Sequence, residues 1–143
     1  MQKTHISTAD LVSLRTAHLG MIQGVITRVS GFSAAVKNFA VTVLVALAVF
    51  ALEKNAPASL WAASVALCAF LIMDGYYHLL EIRYRELYKT MAQRPIDAGS
   101  DMLLEAPEPT WANFRKVVLS KTLLPFYILL FFAMWFALKE TAA

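Results

Sequence analysis

Three hydrophobic stretches, residues 39–52, 60–80 and 122–138, constrain this chain most, because of how its cations sit around them. Of the 13 Lys and Arg residues, Lys3, Arg15, Arg28 and Lys37 precede the first stretch. Arg83, Arg85, Lys89, Arg94, Arg115, Lys116 and Lys121 lie between the second and the third, and only Lys54 and Lys139 fall elsewhere. Three membrane crossings would put the first and third polar segments on one side, so that 11 of the 13 cations lie together. Basic segments stay cytoplasmic, which places the N-terminus inside and the C-terminus outside. The expected fold class is therefore an all-α membrane protein. A cytoplasmic N-terminal helix (1–37) precedes a three-span membrane domain (38–143), with spans at about 38–52, 60–80 and 122–138 and a cytoplasmic loop over 81–121.

At 143 residues and 59% hydrophobic content, the chain is one small domain, with too little polar sequence for a soluble enzyme beside its membrane part. Residues 1–10 are polar and lack the profile of a secretory signal. The single Cys68 cannot form an intrachain disulfide and reads as a small packing residue. The net charge of +3 is modest, but its placement makes one face locally basic, which suits anionic lipid headgroups or a nucleic acid.

Ser7 or Thr8 is a natural helix cap, with Asp10 early in the helix to complement its dipole. From Leu11 onward Leu14, Met21, Ile22, Val25, Ile26, Val29, Phe32 and Val36 recur at helical spacing, with Thr16, Gln23, Thr27, Ser30 and Lys37 opposite. This predicts a long amphipathic helix running straight into the first span. Gly20, Gly24 and Gly31 weaken it by up to ~1 kcal/mol each but allow another backbone to approach closely.

The first span is short. Residues 39–52 cover about 21 Å at ~1.5 Å per residue, against ~30 Å of hydrocarbon, so the span must borrow from the side of Lys37 and Asn38. The second span runs apolar from Leu60 to Met73 before meeting Asp74. Folded as a hairpin about Ala56, position 38 faces position 74, which brings Lys37 or Asn38 level with Asp74. An acid inside a span costs about 2.5–3.5 kcal/mol at the centre and needs a partner or water. The sequence thus predicts a Lys37–Asp74 pair, within a subunit or between neighbours; the alternative is Asp74 at headgroup level beside Tyr76 and Tyr77. The second helix is expected to continue to about Met91, carrying a Glu81–Arg85 pair, until Arg94-Pro95 ends it. Residues 95–109 form an acidic loop, 111–118 a short surface helix, and Pro125 sits in the first turns of an aromatic third span that suits lipid contact.

No catalytic constellation emerges. His5, His18 and His78 lack metal-ligand spacing, no nucleophile or second carboxylate accompanies Asp74 and Glu81, and no glycine loop cradles phosphate. The chain reads as a non-enzyme without cofactor or metal. Three spans are too few to enclose a pore, and the alanine-rich first two spans favour close association, so a homo-oligomer is the economical way to surround a conduit. Thr42, Ser64 and Asp74 are the expected polar lining, and the apolar N-terminal stripes would converge on the axis as a gate. Lys3, Arg15 and Arg28 either make that gate sensitive to anions or rest on anionic lipid.

At residues 18–28 (His-Leu-Gly-Met-Ile-Gln-Gly-Val-Ile-Thr-Arg) and 73–88 (Met-Asp-Gly-Tyr-Tyr-His-Leu-Leu-Glu-Ile-Arg-Tyr-Arg-Glu-Leu-Tyr), the chain resembles small bacterial membrane effectors of anti-phage operons, nearest those of the Hailong defence system. These share an H-L-x-x-I-Q-x-V-I-x-R helix and a span ending L-D-x-Y-Y followed by E-R-x-[FY]-R-x-L-Y. The resemblance covers about residues 10–89; Met73 stands where such sequences often carry Leu, and Ile82 where they carry Arg. It implies a homotetrameric ion channel in the bacterial inner membrane, latched by its N-terminal helices. An oligodeoxyadenylate made by a partner nucleotidyltransferase would hold it shut until infection removes the signal. Carried over, Lys3, Arg15 and Arg28 become phosphate contacts. A holin-like pore protein and a non-conducting membrane anchor remain the competing readings.

Overall fold

In a computed structural model the chain is described at residues 7–54, 58–96, 104–106, 108 and 110–142. These residues form four helices and no strand: α1 (Thr8–Lys54), α2 (Ala58–Gln93), α3 (Trp111–Val118) and α4 (Leu124–Ala142). Two of them, α1 and α2, are long and apolar enough to cross a membrane, while the apolar part of α4, Leu124–Ala137, is shorter.

Helix α1 is a single rod of 47 residues that crosses positions 37 and 38 without interruption. It contains no proline, and its start is fixed by a reciprocal cap. The Asp10 amide donates to Ser7 Oγ at 3.2 Å, and the Ser7 amide donates to Asp10 Oδ2 at 3.1 Å. This capping-box arrangement satisfies two of the amides that a helix start leaves unpaired.

From His18 to Leu44 the buried positions of α1 (His18, Ile22, Ile26, Val29, Ser33, Val36, Ala40 and Leu44) follow one another at steps of three and four, the seam of a helix packed lengthwise on its neighbour. That neighbour is α2, which runs antiparallel and answers with Ala63, Leu67, Asp74, Leu79, Leu87 and Met91. Helix α4 lies against both, parallel to α1. Its Tyr127 and Leu130 join Ala40, Leu44, Ala63 and Leu67 in one apolar cluster. Ala137 closes on Ala51 farther along, where small side chains let the helices approach.

The molecule therefore has two storeys that meet at Asp74. On one side α1, α2 and α4 pack as three. On the other, α1 and α2 continue as a two-helix stalk, held by Ile22 and Ile26 against Leu87 and Met91. That half of the N-terminal stripe is occupied inside the chain, and so is not left free to converge with other copies. Leu14, Met21 and Phe32 stay exposed. Cys68, expected in the packing, is exposed as well, because it follows Leu67 and turns away from the seam.

Helix α3 lies across the junction. Thr110 precedes it in an extended conformation, and the amides of Asn113 and Phe114 donate to the Thr110 carbonyl at 3.0 and 3.1 Å. Its seat on α2 is Gly75, where an added Cβ would come within 3.0 Å of Val118 Cγ2 and 3.2 Å of Phe114 Cε2. Gly20, Gly24 and Gly31 have nothing within 4 Å of the same position. Gly75→Ala should therefore lower thermal stability by about 1–3 kcal/mol through overpacking, whereas Gly20→Ala should raise it by up to ~1 kcal/mol. Equal effects in thermal unfolding of the two variants would contradict this packing.

Candidate functional site

Asp74 has no exposed surface, although it sits among apolar residues midway along α2. A carboxylate there is tolerable only if its lone pairs are filled, and two neighbouring helices fill them. From α1, Lys37 places Nζ 2.7 Å from Asp74 Oδ1 and 2.7 Å from Oδ2. Ser33 donates its hydroxyl to Oδ1, and accepts from Lys37 Nζ at 2.8 Å. From α4, the Tyr127 hydroxyl donates to Oδ2 at 3.3 Å. Ser33 and Lys37 share one face because they stand one helical turn apart.

The cluster is asymmetric in burial. The Lys37 side chain keeps 24% of its surface exposed against 0% for Asp74, so the stem of Lys37 crosses the seam while part of it stays accessible. Such an arrangement adds little net stability over an apolar seam of equal volume, but losing one partner leaves an uncompensated buried charge. Its main structural effect is on register, since Asp74 can be satisfied only where Ser33, Lys37 and Tyr127 arrive together.

Of the residues singled out in the sequence, the structure brings Lys37 and Asp74 together within one chain. Lys3 lies outside the described residues. Arg15 is engaged inside the chain. Its guanidinium donates to the carbonyls of Met91, Arg94 (3.1 Å) and Pro95 (3.0 Å), which are left without helical donors where α2 ends. Arg28 is exposed. Among the three expected lining residues, Asp74 is enclosed, Ser64 directs its hydroxyl to Met134 Sδ at 3.2 Å, and Thr42 alone stands on an open face. Ser33 and Tyr127 were not anticipated. The turn spacing to Lys37 pointed to the first, and only the phenolic hydroxyl among the phenylalanines of α4 marked the second.

Farther down the stalk Glu81 accepts from Arg85 Nε at 2.9 Å and Nη2 at 2.7 Å, and His78 Nδ1 lies 3.6 Å from its other oxygen. Among the described residues no group of His, Cys, Asp and Glu could hold a metal ion.

Lys37→Met should be the most damaging single change in the cluster, costing about 3 kcal/mol or more, because it strands a fully enclosed carboxylate. Asp74→Asn should cost less, since Lys37 can still reach water. Joining the two changes should recover much of the loss, read as thermal stability of the detergent-solubilised protein. A double variant as unstable as the sum of the singles would refute the coupling.

Compared with protein families, curated proteins and solved structures, the chain finds no match.

Proposed function

We propose that the chain is the subunit of a homo-oligomeric membrane channel whose α1 helices surround the conduit. The observation that carries this reading is the face of α1 turned away from α2. Gly20, Gly24, Thr27, Gly31, Ala34, Asn38 and Thr42 recur there at steps of three and four, and every one is exposed. A helix crossing lipid gains nothing by presenting small and polar groups to acyl chains. The same face suits close contact between copies or a narrow aqueous passage. The hydroxyls of Thr27 and Thr42 bond to carbonyls of their own helix, Gln23 at 3.0 Å and Asn38 at 2.9 Å, so they can stand on this face without an outside partner.

In this reading the N-terminus and the stalk are cytoplasmic, and the third crossing is made by α4, which exposes Phe132, Trp135 and Phe136 to lipid. The Asp74 cluster then lies near the inner boundary, where it fixes each subunit and does not line the passage. The resemblance to anti-phage membrane effectors supports a defensive role, a tetramer, and closure by an oligodeoxyadenylate at the stalk. Because Arg15 serves α2, the exposed Arg28, with Lys3, is the better phosphate contact.

Reconstituted into liposomes, the protein should run as a single oligomer and conduct ions. Gly31→Leu should cut conductance at least about tenfold while leaving the subunit's thermal stability near wild type, since its Cβ meets nothing in the chain. A monodisperse monomer in lipid, or an oligomer that conducts nothing, would defeat the proposal. Oligodeoxyadenylate should reduce the conductance, and Arg28→Glu should weaken its binding about tenfold and flatten the salt dependence by about one unit of slope. Unchanged binding would remove Arg28 from the ligand site.

A further inference from the structure

Among the described residues, Arg83 is a buried cation that the Asp74 cluster does not use. Its residue surface is 5% exposed, and its Nε and Nη1 have no hydrogen-bond partner. Burying these two nitrogens without an acceptor is costly, and among the described residues none reaches them, so the position suits a bound anion. Arg83 lines an open cleft of about 270 Å³ between α2 and α3. The opposite wall brings Lys116, Asn113 and Ser120, which add a second cation and two neutral polar side chains. Glu86 also lines the cleft and, like Lys116 and Asn113, is exposed. This set of groups suits a phosphate more than a carboxylate-bearing peptide, because Arg and Lys converge on one small volume.

A second groove, about 720 Å³ and almost wholly apolar, continues from the first along the same face of α2. The two share Leu79. Ala69, Ile72 and Met73 form its floor, and the stacked rings of Trp111 and Phe114, 5.5 Å apart, form its wall. From Ile72 to Arg83 the helix rises about 16 Å, so apolar lining gives way to basic lining along a single track. That polarity runs as a phospholipid's does, with acyl chain beside Ala69 and phosphate beside Arg83. Trp111, which lines the apolar groove, is 74% exposed, and tryptophan favours the headgroup level.

We infer that the α2–α3 groove binds an anionic phospholipid, its phosphate held by Arg83 and Lys116 and one acyl chain laid along Ile72 and Phe114. The inference rests on the membrane reading of α2 but not on conduction or on the number of subunits. Because α3 is seated on Gly75, next to Asp74, the lipid clamps the surface helix beside the junction of the three helices.

Native mass spectrometry of the full-length protein in detergent, titrated with dioleoylphosphatidylglycerol or dioleoylphosphatidylcholine, tests this directly. The phosphatidylglycerol should be retained about tenfold or more over the zwitterionic lipid. Arg83→Met should abolish that preference without loss of thermal stability, because it removes a buried charge whose Nε and Nη1 have no partner among the described residues. Ala69→Trp, which fills the apolar groove and leaves the cations in place, should lower retention of both lipids. Equal retention of the two lipids by the wild type, or a preference that survives Arg83→Met, would overturn the inference. Competition by inorganic phosphate at millimolar concentration would also overturn it, by assigning the cleft to a soluble anion. Flotation with phosphatidylcholine vesicles separates the two readings. Protein that floats but shows no lipid preference sinks this inference alone, and protein that does not float sinks the membrane reading with it.

Discussion

The Asp74 carboxylate is the point to which the packing of this chain is referred. One side chain with no access to water takes donors from α1 and α4. Apolar seams alone tolerate sliding, since Leu and Ala layers repeat along all three long helices. A buried acid does not. If α1 slipped by a turn against α2, Ser33 and Lys37 could no longer both reach Asp74, and part of the cost of an unsatisfied acid in an apolar seam would fall due. Buried polar groups are best attested in this registering role, and here a single group sets the position of three helices at once.

That fixed level organises the remaining surfaces. Above it, α4 fills the cleft of the hairpin and contributes the exposed aromatic side chains. At it, α3 lies across Gly75. Below it, the stalk has only one seam, closed at the far end by the Arg15 guanidinium on the carbonyls of Met91, Arg94 and Pro95, where α2 ends. Helix ends are where antiparallel pairs fray, and a side chain reaching from the start of one helix to the end of its partner holds both termini together.

Much of this was written locally in the chain. The Ser7 and Asp10 cap, the Glu81–Arg85 pair and the end of α2 before Pro95 follow from spacings of three and four residues and from proline's missing amide. The level of Lys37 and Asp74 followed from near-equal apolar runs on either side of the hairpin. What could not be read was any contact that depends on how a third helix lies. Tyr127 looks like one more ring in an aromatic run, and only the placement of α4 aims its hydroxyl at Asp74. Arg15 and Arg28 look alike in sequence, yet one is committed to backbone carbonyls and the other is exposed. Arg83 reads as part of a solvated basic segment until α3 covers it. Periodicity reports which face of a helix is buried. It carries no information about which polar group will meet which.

The continuity of α1 has a mechanical consequence. A helix of 47 residues is about 70 Å long, and a rod of this kind, without proline, transmits a displacement from end to end. Helices bend most readily at Gly–Ser pairs, and the only one in α1 is Ser30-Gly31, a few residues below Ser33 and Lys37. A tug on the stalk is therefore either delivered undiminished to the outer end or absorbed as a pivot immediately beneath the clasped carboxylate. The clasp then acts as a fulcrum, and the stiffness of two peptide units decides whether the lever turns or folds.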